Sequence, residues 1–208
     1  SCAFNFLVPM AVGAHVYLLG KVPSPKILLK AFEEVKPNLI LTVPLILEKI
    51  YKKMILPQLS KTTMKVALNI PLLDSRIYAQ IRKKLVDAFG GRFREVIVGG
   101  AAMNEEVTNF LYKIKFPFTI GYGMTECGPL ISYDHNDEYV PGSCGQILKG
   151  IMKVRIDSED PYNKVGEIQV SGENVMKGYY KNEEATSKVF TEDGWLRTGD
   201  LGTIDADN

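Results

Sequence analysis

Thr119-Ile-Gly-Tyr-Gly-Met-Thr-Glu-Cys-Gly-Pro129 packs three glycines, an aromatic ring, a hydroxyl and a carboxylate into eleven residues. It follows the short apolar run from Phe116 to Phe118. Glycine lets a backbone turn sharply and come close to a ligand. Tyr122 offers a flat face to a base or another ring. Thr125 and Glu126 add a small hydrogen-bonding group and a hard anionic oxygen suited to Mg²⁺. On composition alone, a strand-to-loop turn with a core tyrosine and a solvated glutamate reads equally well.

Working outward toward the amino end, helices alternate with short apolar strands. Asn104 is placed to cap a helix with Glu105 and Glu106 in its first turn and an inner face of Val107, Phe110, Leu111 and Ile114. Glu95 to Val98 reads as a strand running into Gly99-Gly100-Ala101. Before it, Ile77, Tyr78, Ile81, Leu85 and Phe89 give a helix capped at Asp74 or Ser75 and ended by Gly90-Gly91. Helical pieces are expected over 58–73. Ile46, Leu47, Ile50, Tyr51, Met54 and Ile55 give a helix that starts after Pro44 and ends near Pro57. Asn38 to Val43 is a strand, and Ser24-Pro25 starts a helix that stops at Pro37. Residues 3 to 12 read as a buried helix bent near Pro9, and Val16 to Leu19 as a short strand. Strands that are apolar without alternation, separated by helices, predict an α/β fold with a parallel sheet covered on both faces. Ligands of such sheets bind beyond the carboxyl ends of the strands, where Gly99, Gly100, Ala101 and the stretch from Gly121 to Glu126 both fall.

Toward the carboxyl end the pattern changes near Tyr139. Met152, Val154 and Ile156 alternate with Lys153 and Arg155, and Ile168 and Val170 alternate with Glu167 and Gln169. That is the period of half-exposed strands. Asn182 caps a short helix, and Asp193-Gly194 is a tight-turn pair before Trp195 to Asp200. The expected division is an α/β subdomain over 1–139 and a smaller, mostly antiparallel β subdomain over 140–208 that completes the site.

A net charge of +1 without a long basic run gives no electrostatic case for nucleic acid. Cys2, Cys127 and Cys144 are widely spaced and odd in number, so neither a disulfide framework nor a zinc site is indicated, and a reduced, cytoplasmic setting is expected. The apolar stretch from Ala3 to Leu19 holds Asn5, Pro9 and His15 and reads poorly as a membrane span.

Four stretches in order resemble the adenylate-forming (AMP-binding) superfamily, which includes acyl-CoA synthetases, luciferases and the adenylation domains of peptide synthetases. Gly99-Gly100-Ala101 is similar to an upstream glycine turn of that family. Gly121-Tyr122-Gly123-Met124-Thr125-Glu126 resembles its Tyr-Gly-x-Thr-Glu motif. Gly166-Glu167-Ile168-Gln169-Val170-Ser171-Gly172, followed by Met176-Lys177-Gly178-Tyr179-Tyr180, and Trp195-Leu196-Arg197-Thr198-Gly199-Asp200 match two further blocks. Val43-Pro44 with Leu47-Glu48-Lys49-Ile50, and Phe89-Gly90-Gly91, resemble the long-chain acyl-CoA synthetases within it.

The resemblance implies an acid–thiol ligase. In that family a carboxylic acid attacks ATP to give an acyl-adenylate and pyrophosphate, and a thiol, usually of coenzyme A, then takes the acyl group. The acid here would be a long-chain fatty acid. An aryl, short-chain or amino acid, or a non-catalytic adenylate-binding module, are the alternatives. By the same resemblance Tyr122 would stack on adenine, Thr125 would bond the α-phosphate and Glu126 would bind Mg²⁺, the last two being the catalytic pair. Asp200 would accept from the ribose hydroxyls. Gly121 and Gly123 shape the motif, and Gly99, Gly100 and Ala101 would line the adenine edge and acyl pocket, where a side chain would block entry. Arg197 and Tyr179 lie in matching blocks without an assigned role. Trp195 reads as core. Peripheral membrane association of the full-length enzyme is compatible with a fatty acid substrate. The family's phosphate loop and its carboxyl-terminal domain with a catalytic lysine have no counterpart in the chain, so the expectation is an internal fragment of the large domain, inactive by itself.

Overall fold

The computed structural model describes residues 3–20, 22–71 and 73–205. Two compact units divide the chain. One holds residues 5–120 and 135–143; the other holds 3–4, 121–134 and everything described from 144 onward. The chain therefore passes from one unit to the other and back more than once.

The first unit is built on a three-stranded parallel sheet in the order β1 (Leu39–Thr42), β2 (Glu95–Val98), β3 (Phe118–Ile120). Ile40 pairs with Val96, and Val96 with Phe118; Thr42, Val98 and Ile120 end in register. The helices of this unit are α1 (Val8–Ala11), α2 (Pro25–Val35), α3 (Pro44–Ile50), α4 (Leu56–Leu59), α5 (Thr62–Ala67), α6 (Leu73–Ala88) and α7 (Glu105–Lys113), of which α2, α3, α6 and α7 contribute to its core. Ser24 and Asn104 act as the caps read from sequence, whereas Asp74 and Ser75 lie inside the first turn of α6, which already begins at Leu73. Ser24 Oγ accepts from Ile27 N at 3.4 Å, and Asn104 Oδ1 from Val107 N at 3.2 Å, each worth about 1 kcal/mol to its helix. Gly90, at φ +93°, lets the end of α6 pass so close to the carbonyl of Phe32 that a side chain there would collide with it.

Phe89 is fully buried at the centre of this unit. Its ring lies 5.4 Å from Phe32, 5.9 Å from Phe93 and 5.5 Å from Phe116. Burying one such side chain contributes about 1.5–3 kcal/mol. In the central strand β2, Glu95, Val96 and Val98 are buried; in the edge strand β1 Ile40 is buried while Leu39 and Leu41 are exposed. Glu95 is buried, and its carboxylate accepts from Asn136 N at 3.2 Å and Asn136 Nδ2 at 3.4 Å, with His135 Nδ1 3.7 Å away. Those bonds offset the cost of burying a charge and, with Tyr139 packed 4.9 Å from Phe118, tie residues 135–143 into this unit.

Two readings near the amino end differ from the structure. Residues 3–11 are helical, with a π-turn over Ala3–Leu7, yet Leu7, Val8, Met10 and Val12 are exposed rather than buried. Residues 16–19 form no strand, and Tyr17 and Leu18 stand in solvent. Apolar composition marks what can be buried and not what is there to cover it. The helix expected to end near Pro57 ends at Leu59. The Leu56 amide reaches back to the Tyr51 carbonyl in a π-turn over Tyr51–Ile55, and Pro57 falls in the first turn of α4, where no amide is needed.

The second unit contains the short antiparallel pair β4 (Tyr122–Gly123) and β5 (Leu130–Ser132) and the antiparallel sheet β6 (Met152–Asp157), β7 (Gly166–Gly172), β8 (Leu196–Gly202), with helix α8 (Glu183–Val189) before β8. Cys127, Ile131, Met152, Val170 and Leu196 form its core. Trp195, read as core, is half-buried, with the Arg155 guanidinium 4.6 Å above its ring. That guanidinium also makes a fork with both oxygens of Asp193 and donates through Nε to Gln169 at 2.7 Å, fastening the Asp193-Gly194 turn to the sheet. The pairing with Arg155, then with the Thr191 hydroxyl, holds the Asp193 carboxyl far below its ordinary range. Among the described residues no helix is long and apolar enough to cross a membrane.

Candidate functional site

Asp200 owes its position to a break in a ladder. Between β7 and β8 the register moves from Gln169↔Arg197 to Glu167↔Leu201, so Thr198, Gly199 and Asp200 stand out from the sheet as a bulge. Three bonds lock that bulge. Thr198 Oγ1 donates to the Ile168 carbonyl at 2.7 Å, Asp200 N donates to Thr198 Oγ1 at 3.1 Å, and Gly199 N donates to Glu167 Oε1 at 3.3 Å. Gly199 sits at φ +76°, a conformation that other side chains rarely accept. Arg197, without a role in sequence, reaches Glu167 Oε2 at 3.3 Å. It helps hold the same glutamate.

The fixed carboxylate meets the tyrosine of the glycine-rich stretch. Tyr122 Oη donates to Asp200 Oδ2 at 2.8 Å, across 78 residues of sequence. Tyr122 lies on β4 opposite Ser132. Gly123 beside it lets β4 and β5 approach so closely that a Cβ would overlap the Pro129 carbonyl. The Tyr122 phenol is pushed well above its ordinary range, first by burial and then by the bond to Asp200 and its charge, with the Thr198 hydroxyl opposing. It is a donor at neutral pH. Its ring is half-buried while Asp200 is exposed.

Thr125 and Glu126 open the 3-10 turn Thr125–Cys127 that links β4 to β5. Thr125 is exposed, and its hydroxyl has no partner among the described residues. Glu126 is half-buried; its Oε1 accepts from Tyr179 Oη at 2.8 Å, and its carbonyl accepts from Met176 N at 2.7 Å. Cys127 next to it is fully buried, and burial with the neighbouring Glu126 charge pushes its thiol up to about 11, so it is a protonated core residue. Asn174 Nδ2 donates to the carbonyls of Cys127 at 2.7 Å and Leu130 at 2.9 Å, holding both ends of the loop.

The second unit thus brings together Tyr122 with Asp200, and Glu126 with Tyr179. Gly121 and Gly123 belong to the same unit. Gly99, Gly100 and Ala101 lie in the first unit, where they follow β2; Gly99 N donates to the Thr42 carbonyl at 3.2 Å. Gly100 sits at φ +89°, and a Cβ there would meet nothing within 4 Å. The left-handed backbone conformation by itself favours glycine at that position. Tyr179, which has no role by resemblance, is the partner of Glu126, and no residue-level signal in the sequence marks that pairing. No group of three or more His, Cys, Asp or Glu that could hold a metal occurs among the described residues. Glu126 alone, with one oxygen uncommitted, fits a hard cation that takes most of its ligands from phosphates and water.

Comparison with known proteins identifies the family. The family profile described as "AMP-binding enzyme" matches residues 1–180. Long-chain-fatty-acid–CoA ligase 1 of Saccharomyces cerevisiae is 30% identical over 191 residues, covering 84% of this chain and 27% of that protein. 4-Coumarate–CoA ligase 1 of Narcissus pseudonarcissus is 35% identical over 151 residues, covering 66% of this chain and 27% of that protein. The chain therefore spans about a quarter of the length of these curated relatives. The crystal structure of ATP-bound MatB from Rhodopseudomonas palustris superposes with a TM-score of 0.70 at 24% identity, covering all of this chain and 36% of that one, which shows the fold. With a match that runs through most of its length, the chain belongs to the AMP-binding enzyme family.

Proposed function

We propose that the protein carrying this chain joins a carboxylic acid to coenzyme A through an acyl-adenylate. The carboxylate oxygen of the acid forms a bond to the α-phosphorus of ATP as the bond to pyrophosphate breaks. The thiol of coenzyme A then attacks the acyl carbon and AMP departs. The observation that carries this reading is the 2.8 Å bond between Tyr122 and Asp200, which sets a flat ring beside a carboxylate able to face a vicinal diol.

In this reading Tyr122 stacks on adenine and Asp200 accepts from the two ribose hydroxyls. Thr125 donates to the α-phosphate. Glu126 holds Mg²⁺, which supplies positive charge to the phosphate oxygens. Gly121 and Gly123 keep the loop close to the nucleotide; Gly99, Gly100 and Ala101 line the adenine edge and acyl pocket. The difficulty of the first step is bringing an anion to a polyphosphate, and charge fixed in advance lowers it.

For the acid we favour a long-chain fatty acid, supported by a yeast ligase of that name matching over most of the chain. An aryl acid is the second reading, supported by the coumarate ligases among the relatives. Coenzyme A as acceptor and a cytoplasmic setting with peripheral membrane contact complete the proposal. Full-length protein, offered ATP, Mg²⁺, coenzyme A and either palmitate or coumarate, should release AMP with the fatty acid at least 10-fold faster at equal concentration. Faster turnover of coumarate would move the substrate to the aryl class, and no AMP from any acid would contradict the ligase reading.

A further inference from the structure

We propose that Tyr179 is a positioning residue that fixes the Glu126 carboxylate in a one-oxygen geometry for a divalent cation. The inference rests on the nucleotide reading of the site and assigns a residue that reading leaves idle.

The contact is built rather than incidental. Tyr179 Oη donates to Glu126 Oε1 at 2.8 Å although 53 residues separate them, and Met176 N donates to the Glu126 carbonyl at 2.7 Å. The segment 176–179 is thus tied to Glu126 at both backbone and side chain. The base of Tyr179 is held in turn. Its amide donates to Thr186 Oγ1 at 2.9 Å, and that hydroxyl donates to the Asn182 carbonyl at 2.8 Å. Asn182 Oδ1 caps α8 by accepting from Ala185 N at 3.0 Å. Gly178, at φ +151°, lies so close to Thr186 that a Cβ would come within 2.8 Å of its methyl carbon. An otherwise exposed tyrosine is therefore aimed by a capped helix at one carboxylate oxygen.

The consequence is geometric. A free carboxylate can rotate and offer a cation one oxygen or two. With Oε1 occupied by a phenol O–H, Glu126 is held in one rotation with its remaining oxygen left for the ligand; Oε2 has no partner among the described residues. Mg²⁺ demands near-octahedral geometry and is bound by one or two carboxylates plus substrate phosphates, whereas Ca²⁺ accepts bidentate carboxylates and irregular shells. Fixing the carboxylate favours the smaller ion. Hydrogen-bond partners of metal ligands commonly contribute 10–100-fold to metal affinity.

The test is a Mn²⁺ titration followed by electron paramagnetic resonance, on the full polypeptide that carries this sequence with ATP bound. Three forms are compared: unaltered protein, Tyr179→Phe and Glu126→Gln. AMP affinity is measured alongside without metal. Tyr179→Phe should weaken Mn²⁺ by roughly 10-fold, raise the Ca²⁺ affinity relative to Mg²⁺, and leave metal-free AMP affinity unchanged; Glu126→Gln should abolish the metal signal. Equal Mn²⁺ affinity in Tyr179→Phe, with loss in Glu126→Gln, overturns the positioning role alone. A parallel fall in metal and AMP affinity in Tyr179→Phe also overturns it, since that is the mark of a structural residue. Absence of ATP-linked Mn²⁺ binding in the unaltered protein removes the nucleotide reading beneath it.

Discussion

Each unit of this molecule contains a tyrosine that donates to a distant carboxylate, Tyr51 to Glu106 at 2.9 Å in the first and Tyr122 to Asp200 at 2.8 Å in the second. The bond lengths barely differ; the surroundings do. Tyr51 is buried in the π-turn before α4, packed 5.3 Å from the Phe110 ring, and reaches the first turn of α7. Among the described residues no other side chain bonds Glu106, which sits in the first turn of α7, where an anion is already favourable. Asp200 stands on a bulge locked by three hydrogen bonds, with a left-handed glycine beside it. One pair closes helices over a core. The other holds a half-buried ring and an exposed acid in fixed relation, which is what a binding site needs and a core does not.

The comparison breaks most visibly in the core of the first unit. Phe89→Ala removes a fully buried ring touching three others and should cost about 3–5 kcal/mol in denaturant unfolding. A loss below about 1 kcal/mol would mean that the aromatic cluster does not hold the sheet to its helices. The Tyr51 pair gives a smaller effect with a pH signature. Burial, then the bond to Glu106 and its charge, push the Tyr51 phenol from 10.0 up to about 12. The unfolded chain therefore releases this proton first. Stability from Tyr51 is whole below pH 10 and is lost as pH rises to about 12, at up to about 1.4 kcal/mol per pH unit. Tyr51→Phe should cost about 1 kcal/mol at pH 7 and flatten that alkaline fall. An unchanged slope would show that Tyr51 ionises as it does in the unfolded chain.

How far the sequence carried the reading also divides along the two units. In the first, local chemistry sufficed for α2, α7, β1 and β2, because Ser24, Asn104 and the uninterrupted apolar run from Val96 to Val98 each act through neighbours in sequence. It failed on the burial of the helix over 3–12 and on the strand at 16–19, because burial depends on what lies opposite. In the second unit the period of two gave β6 and β7, but not the bulge that projects Asp200. Register between strands is a long-range property, and the residues that lock it, Glu167 and Thr198, look like ordinary strand positions. Motif resemblance singled out Tyr122, Glu126 and Asp200. It did not reveal that Tyr179 caps Glu126, because a tyrosine following a glycine carries no periodic signal.

The central claim is that Tyr122 and Asp200 serve one nucleotide. Calorimetric titration of AMP into the unaltered protein, Asp200→Ala and Glu106→Ala tests it most directly. Asp200→Ala should weaken AMP by about 10-fold or more, as expected for loss of hydrogen bonds to a charged acceptor, while Glu106→Ala should leave AMP affinity unchanged. Equal AMP affinity in Asp200→Ala and the unaltered protein would contradict the account.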